Sequence, residues 1–149
     1  MMHWQSLIVH DTPAIMLLRP CRPLITAADI EPAYALLSGN SVPPRLWVEL
    51  GRNLQPDFIT GPLAELRLRW LAHPAASWIG RAVIHAPDDL AFGLARMYTT
   101  LVHEDSDRLH VARELAIGAR WLDLTPERIA ALIADADADT CDHASGADA

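Results

Sequence analysis

Arg81-Ala-Val-Ile-His-Ala-Pro-Asp-Asp-Leu-Ala-Phe-Gly-Leu-Ala-Arg-Met-Tyr98 reads as a buried strand, a tight turn and an amphipathic helix in direct succession. Residues 82–86 form a short apolar run, and Pro87, which has no N–H to give to a ladder, closes it. Asp88 or Asp89 then offers a carboxylate to the free N–H groups of the helix that follows. Leu90, Leu94, Met97 and Leu101 recur at helical spacing and predict the buried face of that helix. The stretch is one β/α unit of an α/β domain. It sets architecture and carries no chemistry of its own.

Upstream, residues 4–10 and 14–19 predict two strands around Asp11-Thr12-Pro13, a turn-forming cluster. Residues 25–30 look like a helix start, with Thr26 as cap, Asp29 in the first turn, and Ile25 and Ile30 as a hydrophobic staple. Pro32 predicts either a later start, at Glu31, or a kink. A third strand over 45–50, a loop over 51–60 and a helix opened by Pro62 and running to Ala72 come next. Downstream of the opening stretch lie an acidic loop at 104–107, a strand over 109–113 and a helix over 116–122. Thr125 as N-cap and Pro126 at the first helical position then start a last helix, ending near Ile133. The order ββαβαβαβαα predicts a mixed sheet of about five strands, an N-terminal hairpin followed by alternating β/α units, covered by helices. Residues 1–134 read as a single domain. Residues 135–149, rich in Asp, Ala, Ser and Gly, read as a disordered acidic tail that the fold does not need.

Ala86-Pro-Asp-Asp-Leu-Ala-Phe-Gly-Leu-Ala-Arg-Met-Tyr98 resembles the strand-to-helix segment of bacterial SpoIIAA-like proteins, a branch of the STAS superfamily. Arg108-Leu-His-Val-Ala-Arg-Glu-Leu115 and Ala119-Arg-Trp-Leu122 stand where that family has its last strand and closing helix. The resemblance covers residues 80–124 in motif and 1–79 in topology alone. It implies a STAS-like fold. The anti-anti-sigma members of that superfamily carry a phosphorylated Ser in an Asp-Ser-Ser-Gly turn that enters the helix after the third strand. The nearest match is Asp57-Phe-Ile-Thr-Gly-Pro62, in which Ile59 takes the acceptor place and Asp57 stands one residue further off. That motif is broken. Thr60 is the candidate phospho-acceptor, and a helix N-cap is its plainer role.

An apolar content of 51% over 149 residues supplies one core without help from disulfides. Cys21 and Cys141 match no metal or redox spacing, which predicts two reduced thiols in a cytoplasmic protein. Asp11 and Pro13 interrupt the apolar residues near the start, and the aliphatic run 14–18 is too short to span a bilayer, so neither a secretory signal nor a membrane span is expected. The net charge of −7 is uneven: residues 135–149 hold five aspartates, which leaves the remaining chain with 12 basic and 14 acidic residues. A nearly neutral body argues against nucleic-acid binding through a broad basic surface. All basic residues are Arg, which excludes Schiff-base lysines, Ser–Lys dyads and Walker A loops.

No Gly-x-Ser-x-Gly or Gly-x-Gly-x-x-Gly occurs. His103, Glu104, Asp105, Asp107 and His110 crowd one segment without a zinc-binding spacing. Asp135, Asp137 and Asp139 begin like a calcium loop, but Thr140 and Gly146 stand where that loop needs Gly and Glu. No catalytic, cofactor-binding or metal-ligating residue is therefore assigned. His85 is either a core histidine bonded to a backbone carbonyl or an imidazole facing the crevice at the carboxyl ends of the strands. With Arg96 and Tyr98 on the following helix it makes up the candidate crevice residues. Trp47, Trp70, Trp78 and Trp121 are expected to fill the core, and Gly93 to let its helix pack closely on the sheet.

Three function classes follow, in this order. The first is a non-enzymatic regulatory or protein-interaction module, with an unidentified protein partner or a second copy of itself, which predicts a filled core and an exposed apolar patch. The second is a carrier or sensor of a small apolar ligand or lipid, since STAS folds resemble CRAL-TRIO-type lipid-transfer domains; it predicts an apolar cavity of roughly 300 Å³ or more. The third, an unrecognised enzyme, predicts a cleft where polar groups converge and at least one has a shifted pKa.

Overall fold

The computed structural model describes residues 4–10, 13–21, 24–38, 42–51, 55–57 and 60–139. The chain runs β1 (Trp4–Val9), β2 (Ile15–Pro20), β3 (Leu24–Thr26), α1 (Ala27–Leu36), β4 (Arg45–Glu49) and β5 (Gln55–Asp57). It continues through α2 (Thr60–Ala72), a 3-10 turn at Pro74–Ser77, β6 (Arg81–His85), α3 (Asp89–His103), β7 (Leu109–Ala112), α4 (Leu115–Trp121) and α5 (Pro126–Ala138). The fold is α/β, with a five-stranded mixed sheet in the order β1-β2-β4-β6-β7. β1 and β2 pair antiparallel, with Leu7 opposite Leu17, and every other pair in that sheet is parallel. β2 is buried on both faces, which is why Ile15-Met-Leu-Leu18 is a continuous apolar run rather than an alternating one. β3 and β5 form a separate two-stranded parallel ladder that three-residue segments, one containing Pro56, gave no pattern to foresee.

From β2 onward the strand order advances in one direction only. Right-handed crossovers that all step the same way lay their helices on the same face. α1, α2 and α3 accordingly cover one face, where Tyr34, Leu63, Leu66 and Val102 join Met16, Leu18, Leu46 and Ala82. α4 and α5 follow the last strand and cover the other face, where Leu122, Ile129 and Leu132 pack on Ile15, Leu17, Trp47 and Val83. Thr125 caps α5 as its sequence indicates, accepting the Arg128 N–H at 3.2 Å.

Several expectations are corrected. Asp88 holds the N-cap position of α3 without a side-chain cap bond, and Asp89 pairs with Arg113 instead. The face of α3 that is fully buried carries Ala91, Ala95, Thr99 and Val102; Leu90 is 62% exposed. Gly93 lies on the outer side with open space where a Cβ would stand, so close packing is not its role. α1 starts at Ala27, directly after Thr26, and accommodates Pro32 within it; the side chain of Thr26 is outside the described residues. α5 continues past Ile133 to Ala138, so residues 135–138 are helical rather than part of a tail. Ala136 is fully buried, Gln5 and Arg19 donate to its carbonyl at 2.7 and 2.9 Å, and Arg19 pairs with Asp137. Residues 140–149 lie outside the described residues. Cys21 is disulfide-bonded, contrary to the reduced thiol expected, which removes one argument for a cytoplasmic location. Cys141, the only other cysteine in the sequence, is outside the described residues. Among the described residues no helix is long and apolar enough to cross a membrane.

Two glycines respond in opposite ways. A Cβ at Gly118 would stand 2.8 Å from the Trp47 ring and 2.9 Å from Val83, both fully buried. Gly118→Ala is expected to cost about 1–3 kcal/mol, and Gly93→Ala to gain up to about 1 kcal/mol, read as shifts of the urea midpoint. Ending the chain after Ile133 removes Ala136 and the acceptors of Gln5 and Arg19, so the melting temperature is expected to fall by roughly 5–10 °C. An unchanged value would return α5 beyond Ile133 to the tail.

Candidate functional site

The helices on the α1–α3 side meet the sheet through small residues. Ala33 of α1, Ala82 of β6, and Ala91 and Ala95 of α3 all face the same interior space. Four alanines opposite one another cannot fill the gap between two layers at normal interior density. The result is a cavity of about 330 Å³, floored by residues such as Leu18, Leu46, Val48 and Ile84 and roofed by α1, α2 and α3. Trp4, Trp70 and Trp78 also line it. Trp70 and Trp78 are thus wall residues, while Trp47 alone of the four named tryptophans is fully buried in the core. The indole N–H groups of Trp4 and Trp78 are spent on the carbonyls of Asp29 (2.8 Å) and Pro43 (3.1 Å), leaving hydrocarbon as lining. Trp78 lies so close to the backbone at Gly80 that a Cβ there would be 2.2 Å from the ring.

A cluster of uncharged polar side chains interrupts this lining. Tyr34 and Tyr98 hydroxyls lie 2.6 Å apart, and His103 Nε2 is 2.8 Å from the Tyr98 hydroxyl. Trp70 packs between them, its ring centre 4.7 Å from Tyr34 and 4.8 Å from His103. Burial lowers the His103 pKa to about 4 and raises both tyrosines above their ordinary value. At neutral pH all three are therefore uncharged. Each hydroxyl has a single proton, so the chain has two directions. If His103 Nε2 accepts from Tyr98, Tyr98 accepts from Tyr34 and Tyr34 presents a lone pair to the cavity. If Nε2–H donates, Tyr98 donates onward and Tyr34 presents its proton. The neutral imidazole can adopt either tautomer, so the chain can meet a ligand donor or a ligand acceptor.

The sequence candidates separate in space. Tyr98 belongs to this chain of hydroxyls. Arg96 is exposed and lines a small depression with His110, whose pKa is lowered by burial and by Arg96. His85 is on the opposite face of the sheet, where its Nδ1 is 2.8 Å from Glu49 Oε1. Trp47 Nε1 donates to the same oxygen at 2.9 Å. The partner of His85 is thus a carboxylate, not the backbone carbonyl expected. A crevice at the carboxyl ends of the strands needs a reversal of strand order, and this order has none among these five strands. Thr60 is the first residue of α2; its side chain lies outside the described residues. Sequence reasoning missed Tyr34 altogether and placed His103 with the acidic loop, because the chain unites residues 64 positions apart. Among the described residues no three metal-ligating side chains come together.

No protein-family model matches the chain, and neither the curated proteins nor the solved structures contain a match.

An unfolded chain titrates His103 near 6.5, whereas the fold holds it at about 4. Between those values the unfolded state binds more protons, so stability falls with acidification. From pH 7 to pH 4.5 the loss attributable to His103 should be roughly 2 kcal/mol. His110 is shifted in the same direction, so the comparison is with His103→Gln, whose melting temperature should fall less over the same pH interval. Equal pH slopes would mean that His103 is not held neutral by the fold.

Proposed function

We propose that this protein is a carrier or sensor of a small apolar ligand, and that it is a SpoIIAA-like member of the STAS superfamily. The observation that carries the first part is the cavity of about 330 Å³, apolar on nearly all sides and provided with the Tyr34–Tyr98–His103 chain. Ligand sites are typically apolar hollows of about 300–1,000 Å³ with a few placed polar groups. A core left unfilled forfeits packing contacts that alternative side chains would supply, and occupancy by a ligand restores them. The family assignment is supported by the motif resemblance over 80–124 and by a hairpin followed by parallel β/α units. A non-enzymatic interaction module is the second reading. It is favoured by Leu68, Leu71 and Ile79, which are 61–77% exposed on or just after α2. Both readings are non-enzymatic and involve no cofactor. Phosphorylation at Thr60 would be an addition to either.

Filling the hollow separates the two readings. Ala95→Phe places a ring in the cavity from α3 and is expected to abolish binding of a neutral naphthylamine fluorophore while leaving the melting temperature within a few degrees of wild type. Retained binding by this variant would move the ligand out of the cavity. No binding by the wild-type protein would leave the interaction module as the better reading.

A further inference from the structure

We infer that the ligand is an amphiphilic monocarboxylate whose apolar body occupies the cavity and whose anionic head meets Arg108; this rests on the carrier reading. Three charged side chains line the cavity: Arg67, Glu104 and Arg108. Arg67 and Glu104 form an ion pair and cancel one another. The Arg108 guanidinium has no hydrogen bond or ion pair within the described residues; its backbone N–H bonds to Ser106 Oγ and its carbonyl accepts the Ala82 N–H at 2.8 Å. The root of the side chain is thereby anchored to the first residue pair of β6 and β7, while its head stays available at the rim. His103 adds no charge near neutral pH. In a chain of net charge −7, the lining of this cavity is left with a single uncompensated positive charge.

That balance selects the ligand. A guanidinium presents a planar fork of donors that fits a carboxylate. Beyond it the lining is mostly hydrocarbon, Arg67 and Glu104 are taken up by one another and the hydroxyl chain is uncharged, so a second charge on the ligand would be buried without a free partner. A molecule with one anionic end and an otherwise apolar body meets both conditions. A volume of about 330 Å³ lies at the small end of the range of ligand sites, which suits a body the size of a medium-chain fatty acid.

The test is displacement of the neutral fluorophore N-phenyl-1-naphthylamine from the full-length protein by decanoate and by decan-1-ol at neutral pH. Arg108→Gln is expected to weaken decanoate about 10-fold, equivalent to about 1.4 kcal/mol, and to leave decanol unchanged. Arg108→Lys, which keeps the charge and loses the fork, should fall between. Added salt should weaken decanoate alone. Decanol binding with decanoate excluded, or an Arg108→Gln variant that alters both ligands equally or neither, would overturn the carboxylate inference and leave the carrier reading standing. If neither the fluorophore nor either competitor binds the wild-type protein, the carrier reading falls and this inference with it.

Discussion

The one-directional march of the parallel strands is the constraint on which the rest of this structure depends. Because the order β2-β4-β6-β7 never reverses, the three crossover helices share one face of the sheet. They must fit side by side over a sheet only five strands wide. Small side chains on α1 and α3, where these helices face the sheet, leave the interior short of volume. The opposite face is built otherwise. There the two helices that follow the last strand press onto Trp47, with Gly118 admitting the indole at a distance no larger residue allows. One sheet thus has a dense side and a hollow side.

The polar groups of the two sides differ in the same sense. On the dense side, Trp47, Glu49 and His85 satisfy one another within a single cluster and account for a buried acid and a buried histidine without invoking chemistry. On the hollow side, Tyr34 and His103 are joined through Tyr98. Buried hydroxyls need partners, and this chain supplies them while fastening α1 to α3. At its end, the Tyr34 hydroxyl has a hydrogen-bonding position that no side chain among the described residues takes up. The imidazole that terminates the chain is kept neutral by burial, so this polar part of the lining carries no charge.

Most elements were legible from local rules. Asp11-Thr12-Pro13 marked the hairpin, the apolar run before Pro87 marked β6, and Thr125-Pro126 marked the start of α5 through cap chemistry that needs no distant partner. Errors arose where burial had to be assigned. Leu90, Leu94, Met97 and Leu101 form an apolar stripe by periodicity, but α3 turns its alanines to the sheet and leaves Leu90 in water. Hydrophobic periodicity ranks a leucine above an alanine and does not tell which side of the helix meets the sheet. The aspartates after Ile133 looked like a solvated tail because composition carries no knowledge of Gln5 and Arg19, which meet Ala136 and Asp137 from the other end of the chain.

The sequence by itself determined the α/β class, the hairpin followed by alternating units, the bounds of most helices and strands, and the neutral body that goes with an acidic C-terminal segment. These rest on local steric and hydrogen-bonding preferences and on composition. Only the tertiary structure decided that the core is hollow on one side, that Tyr34, Tyr98 and His103 meet there, that His85 is bound by Glu49 away from the cavity, and that Cys21 is oxidised. Each of those is a relation between residues far apart in the chain, and a void in particular is the absence of side-chain volume at a place that exists only after the layers have come together.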